Sequence, residues 1–212
     1  MNILVIRHGE SEADLLDVYE GRADFGLTEK GKKQAYCMAE WIKSMYKLDR
    51  IYSSTLIRAS QTATFLSEET HTEICYEKDL MEFNNGLIAG LQRKEVDAKY
   101  PFVENLPIHK AVYEQESMLE FRYRAENVMS KIISENVEDS TVAIVSHGGM
   151  INQLYRAFLK LPNDTNIYIS TGDTGIHMWS VNKNARRILF ANRTEHIQAL
   201  NYVNCQRQVR CK

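Results

Sequence analysis

The sequence predicts an α/β fold, a mostly parallel central sheet with helices on both faces, and three observations predict it. Residues 3–6 (ILVI) and 141–146 (TVAIVS) are short continuous apolar runs, the pattern of strands covered on both sides. The stretches between such runs carry apolar residues at helical spacing. The two kinds of segment alternate along the chain, which is the order a layered parallel sheet requires.

In order, residues 3–6 form the first predicted strand. Thr28 is placed to cap a helix whose stripe is Ala35, Met38, Ala39, Ile42 and Met45. Residues 50–53 read as a second strand, and a shorter helix starts near Thr55 with Leu56, Ala59, Ala63 and Leu66 on one side. From 75 to 116 the periodicity fails: Asn84-Asn85-Gly86, Gly90, Pro101 and Pro107 predict an inserted loop-and-helix excursion over the sheet. Ser117 and Glu120 have the spacing of a capping box ahead of Phe121, Ala125, Val128, Met129, Ile132 and Ile133. Residues 141–146 are the third strand and 150–159 a helix. Residues 175–181 are a fourth strand, with 187–191 as its hairpin partner. The expectation is one domain over 1–200, followed by a polar, basic tail, 201–212, whose structure the pattern leaves undetermined.

The 212 residues, 44% hydrophobic, suffice for one α/β domain with a sizeable core. A net charge of −2 supplies no global field for nucleic acid or an anionic membrane. The leading apolar run stops at Arg7, too short for a signal core or a membrane span. Cys37, Cys75, Cys205 and Cys211 show no CxxC pair and are expected to be free thiols. These features point to a cytoplasmic protein without nucleic-acid or membrane partners.

Sites in open α/β sheets form at the carboxyl ends of strands. Three reactive stretches sit there: Arg7-His8-Gly9, residues 53–58 ending in Arg58, and Ser146-His147-Gly148-Gly149. Arg7 and Arg58 present planar forks suited to phosphate oxygens, and helix N-termini after the glycines favour an anion. Two arginines beside two histidines disfavour imidazolium, which leaves a neutral imidazole able to act as nucleophile. Singly, each residue has a plainer explanation: a hydrogen-bonded histidine at a strand end, a solvated Arg58, an idle Glu82 in an Asn/Gly-rich loop. Their convergence at three strand ends makes them candidates. His71, His109, His177 and His196 read as structural or loop residues.

These residues also form a recognisable series. LVIRHGES, residues 4–11, resembles the RHG signature of the histidine phosphatase superfamily, to which the cofactor-dependent phosphoglycerate mutases also belong. Four more blocks follow in the family's order: Gly21-Arg22-Ala23-Asp24 with Leu27-Thr28 and residues 31–35, residues 53–63, Leu80-Met81-Glu82 leading to Gly86 and Gly90, and residues 145–149. Together they span about residues 2–197. The resemblance implies a phosphoglycerate mutase-like three-layer sandwich. It implies His8 as a transiently phosphorylated nucleophile, and Arg7, Arg58 and His147 as a clamp on the phosphoryl oxygens. Glu82 would protonate the leaving alcohol and then activate water, and Ser11 and Gly148 would also contact the phosphate. The implied partner is a small phosphorylated metabolite, with no metal and no cofactor.

Two positions depart from the family pattern. Asp14 stands where the family usually has a phosphate-donating Asn, and an ionised Asp has no donor. Leu87-Ile88-Ala89-Gly90 lacks the aromatic residue common near that glycine. Three other readings remain: a mutase, a non-catalytic phospholigand-binding protein, and a metallohydrolase using His8, His147, Asp14 and Glu82. Residues 91–116 mix Arg93, Lys94, Lys99 and Lys110 with five acidic residues, unlike a mutase's basic insert, and Arg7 and Arg58 would repel a metal.

Overall fold

Neighbouring residues of a strand face opposite ways, and in this chain both directions are apolar. A computed structural model, which describes residues 1–197, turns that pattern into two cores. The elements are β1 (Asn2–Arg7), α1 (Glu12–Leu16), α2 (Glu29–Met45), β2 (Arg50–Ser53), α3 (Ile57–Thr70), β3 (Ile74–Tyr76), α4 (Arg93–Lys99), α5 (Met118–Glu135), β4 (Thr141–Ser146), α6 (Gly148–Leu159), β5 (Ile176–Val181) and β6 (Arg186–Arg193). The sheet order is β3-β2-β4-β1-β5-β6. The first four are parallel, while β5 runs antiparallel to β1 and to β6. Ile3, Val5, Val142 and Ile144 pack against α5 and α6 on one face. Leu4, Ile6, Ala143 and Val145 pack against α2 and α3 on the other. The fold is thus the predicted mostly parallel α/β sandwich.

Packing positions the helices and caps fix where they start. Met38 and Ile42 of α2 are fully buried, and burying such a side chain stabilises by roughly 1.5–3 kcal/mol. The Thr28 cap, whose hydroxyl accepts the Gly31 N–H at 2.9 Å, contributes about 1 kcal/mol. Ser117 and Glu120 form the expected capping box at the start of α5. α3 begins at Ile57, later than Thr55, because Leu56 is extended and the Ile57 N–H is taken by Asp24 at 2.6 Å. β3 and α1 were not predicted. At three and five residues they are too short to display a period.

One close approach locks the loop after β1. A Cβ on Gly9 would lie 2.5 Å from the Gly31 carbonyl oxygen, so the turn is pinned against the first turn of α2. Among the described residues no helix is long and apolar enough to cross a membrane. The tail expected at 201–212 lies outside the described residues.

Candidate active site

β2, β4 and β1 are neighbours in the sheet, so the loops after them meet at one edge. The rings of His8 and His147 stand there with centroids 5.1 Å apart. His8 is 2% exposed. Its Nδ1 lies 2.8 Å from the Gly9 carbonyl oxygen, which can only accept, so Nδ1 carries the proton. Nε2 therefore holds a lone pair, and the Arg58 Nε–H points at it from 3.3 Å. Burial pulls the pKa of both histidines well below 6.5, and Arg58 and Arg7 pull in the same direction. The sequence reading credited the arginines; desolvation is the larger cause.

Arg58 is fully buried rather than solvated. Its terminal nitrogens donate to Ala23 and Gly21 carbonyl oxygens at 3.0 and 2.7 Å, which aims Nε at the centre. Arg7 donates from Nη1 to Thr171 O at 2.8 Å and pairs with Asp173 at 3.5 Å. His147 Nε2 is 2.8 Å from the Ser54 hydroxyl. Arg7 Nε and His147 Nδ1 are buried with no partner, two of only five such side-chain atoms among the described residues. Each unsatisfied atom costs about 1–3 kcal/mol.

Glu82 comes from the inserted segment and reaches the start of α6. Its Oε2 accepts the Gly149 N–H at 2.8 Å, and Oε1 accepts those of Met150 at 3.1 Å and Phe83 at 2.8 Å. The α6 N-terminus, expected to favour a bound anion, thus already carries Glu82. A Cβ on Gly149 would sit 2.5 Å from Glu82 Oε1, while one on Gly148 meets nothing within 4 Å. Arg124 of α5 frames this loop, donating to the carbonyl oxygens of Asp79, Met81 and Glu82 at 2.8, 3.0 and 3.3 Å while pairing with Glu116. Arg22 also pairs with Glu116, at 3.5 Å.

Ser11 and Asp14, both expected at the phosphate, are bonded to each other. Asp14 Oδ2 accepts the Ser11 N–H at 2.8 Å and the hydroxyl at 3.1 Å, capping α1. The sequence reading missed Glu20, whose Oε1 lies 2.6 Å from Ser11 Oγ and 3.2 Å from Arg58 Nε. Nothing in its residue type or spacing singles it out. His71 ends α3 and His109 is exposed. His177 bonds to Tyr155 and Thr171, and His196 to Thr174, whose N–H donates to His8 O. A cavity of about 500 Å³ lies in the inserted segment. Its mainly apolar lining includes Phe83 and Glu116 but neither catalytic-candidate histidine.

The profile of the histidine phosphatase superfamily (branch 1) matches residues 3–194. Phosphoserine phosphatase 1 of Hydrogenobacter thermophilus is 32% identical over 164 residues, 75% of this chain and 76% of that protein. The solved structure of a mycobacterial glucosyl-3-phosphoglycerate phosphatase complexed with VO3 superposes with a TM-score of 0.79 at 26% identity, covering 90% of this chain and 98% of that one. A 2,3-bisphosphoglycerate-dependent phosphoglycerate mutase of Bartonella henselae is 36% identical over 102 residues, 46% of this chain and 50% of that protein.

Proposed function

The chain belongs to the histidine phosphatase superfamily, branch 1, and from that premise we propose that it hydrolyses small-molecule phosphate monoesters through a phosphohistidine on His8. Its phosphatase relatives support hydrolysis of phosphate esters as the reaction class. The observation that carries the mechanism is the fixed tautomer of His8, with its Nε2 lone pair held beside Arg58.

In the first half-reaction Nε2 attacks phosphorus, the bond from phosphorus to the ester oxygen breaks, and Glu82 gives that oxygen a proton. Glu82 Oε1 spends both lone pairs on the Phe83 and Met150 amides, whereas Oε2 accepts only from Gly149. Oε2 is therefore the atom that carries the proton. In the second half-reaction Oε2 takes a proton from water, the water oxygen attacks phosphorus, and the N–P bond breaks. Inorganic phosphate leaves and His8 is neutral again. Arg7, Arg58 and His147 stabilise the charge on the transferring group, with Ser11 and Gly148 assisting. We assign no metal or cofactor, because the arginines supply this charge. Among the described residues no group of three His, Cys, Asp or Glu is placed to hold an ion.

The competing reaction within the family is return of the phosphoryl group to a second bound ester. The cavity of the inserted segment carries Lys110 against Asp97 and Glu116, a poor seat for a second phosphate, which supports water as the acceptor. The test is phosphate release from an aryl phosphate by EDTA-dialysed wild type and His8→Ala, with 3-phosphoglycerate mutase activity assayed alongside. We expect wild-type turnover, at least a thousandfold loss in the variant, and no mutase activity. Activity of His8→Ala within tenfold of wild type would sink the mechanism.

A further inference from the structure

The Glu20 carboxylate stands against Ser11 and Arg58, next to the His8 ring that Arg58 also contacts. Its Oε1 contacts Ser11 Oγ at 2.6 Å and Arg58 Nε at 3.2 Å, and that same Arg58 Nε lies 3.3 Å from His8 Nε2. One carboxylate oxygen therefore takes a hydroxyl donor and ion-pairs with the guanidinium beside the nucleophilic nitrogen. The other Arg58 nitrogens each give one N–H to a backbone carbonyl oxygen, which fixes the guanidinium in this orientation.

We propose that Glu20 is a built-in competitor of the substrate's phosphoryl group, so that a phosphate dianion enters only when Glu20 swings aside or takes up a proton. This rests on the phosphatase reading and adds to it the residue that sets phosphate affinity. The groups facing Glu20 are Arg58 from α3, Arg7 from β1, and Ser11 and Asp14 at the start of α1. Asp24 and Glu82 face Arg58 as well. Burial raises the Glu20 pKa, Arg58 and Ser11 oppose that rise, and Asp14 adds to it. Protonation is thus easier for Glu20 than for a free glutamate, and an un-ionised Glu20 no longer repels a dianion.

Glu20→Gln removes the charge and offers an amide donor at the same place. With an aryl phosphate at pH 7.5 we expect its KM to be about tenfold below wild type, and the inhibition constant for sulfate to fall by a similar factor. Sulfate stays a dianion from pH 5 to 8, so its own titration does not intrude. The wild-type to variant ratio of sulfate constants should shrink towards one as pH falls, and Glu20→Ala should move in the same direction. Wild type alone must show sulfate binding that tightens towards acid, a measurement independent of how either variant folds. A ratio near one at pH 7.5, a ratio that does not change with pH, or a higher KM in a folded variant would overturn the proposal. Sulfate binding by calorimetry decides the Glu20 question even if the protein hydrolyses no ester, while the His8→Ala assay decides the phosphatase reading separately.

Discussion

Glu82 meets three backbone N–H groups with two oxygens, and this limits what may replace it. In Glu82→Gln one oxygen becomes an NH2 group, which points a donor at a donor. The substitution thus removes the acid and leaves at least one amide unpaired, a cost of about 1–3 kcal/mol. General acid catalysis is worth about 10²–10⁴-fold. We expect kcat on alkyl phosphates to fall by about that factor, and far less on aryl phosphates, whose phenolate leaves with little protonation. Equal losses on both ester types would mean that Glu82 only holds α6 and gives no proton. Asp14 shows why single residues are harder to read than motifs. Its position suggested a residue at the phosphate that lacks a donor, yet it spends its carboxylate on the Ser11 amide and hydroxyl. That role depends on α1, a five-residue helix with no apolar period to announce it. The meeting of His8, Arg58 and His147 was legible because each lies in the loop or helix that follows one of three neighbouring strands. Glu20 was not, since only the folded loop brings it to Arg58.

At the scale of elements, the acid loop is held by a helix on the far side of it. Arg124 of α5 donates to three successive-loop carbonyl oxygens, those of Asp79, Met81 and Glu82, and pairs with Glu116, which in turn accepts the Asn84 N–H at 2.6 Å. Arg124→Met keeps most of the apolar stem and removes the three carbonyl bonds and the ion pair with Glu116. We expect kcat on alkyl phosphates to drop about tenfold with KM within twofold, and aryl phosphates to be little affected, since Arg124 acts through Glu82. Parallel losses on both ester types, scaling only with reduced thermal stability, would leave Arg124 a purely structural residue. Elements with many buried side chains on one face, such as α2 and α5, were legible from periodicity alone. β3 was not, because its three residues are only half covered at the sheet edge. The inserted segment was recognised by its turn residues, but its frame was hidden. Arg22 lies far in sequence from Glu116 and Arg124, and its convergence with them is a property of the packed chain.

At the scale of the whole molecule, four buried histidines tie stability to the chemistry. His177 and His196 are held down to about 4, and His8 and His147 well below 6.5, all chiefly by burial. The segment 171–174 joins three of them: Thr171 meets His177 and Arg7, while Thr174 meets His196 and the His8 carbonyl. Each folded pKa lies below the unfolded value of 6.5, so the unfolded chain takes up protons first. The stability these groups contribute is complete above 6.5 and is lost as pH falls towards their folded pKa values. Each can contribute a slope of up to about 1.4 kcal/mol per pH unit in that window. Glu20 and Asp173, whose pKa values burial raises, oppose this, because the folded state holds their protons more tightly. Two carboxyl groups against four histidines leave the sign with the histidines. The depressed carboxylates Glu10, Glu29, Glu69, Glu120 and Glu195 lose their contribution only further into acid. We expect the net effect to be a loss of stability, read as a fall in Tm, between pH 7 and 5.5. Calorimetric scans at pH 7, 6 and 5.5 measure it. A Tm that does not fall would mean that the four histidines do not dominate the response of the fold to acid.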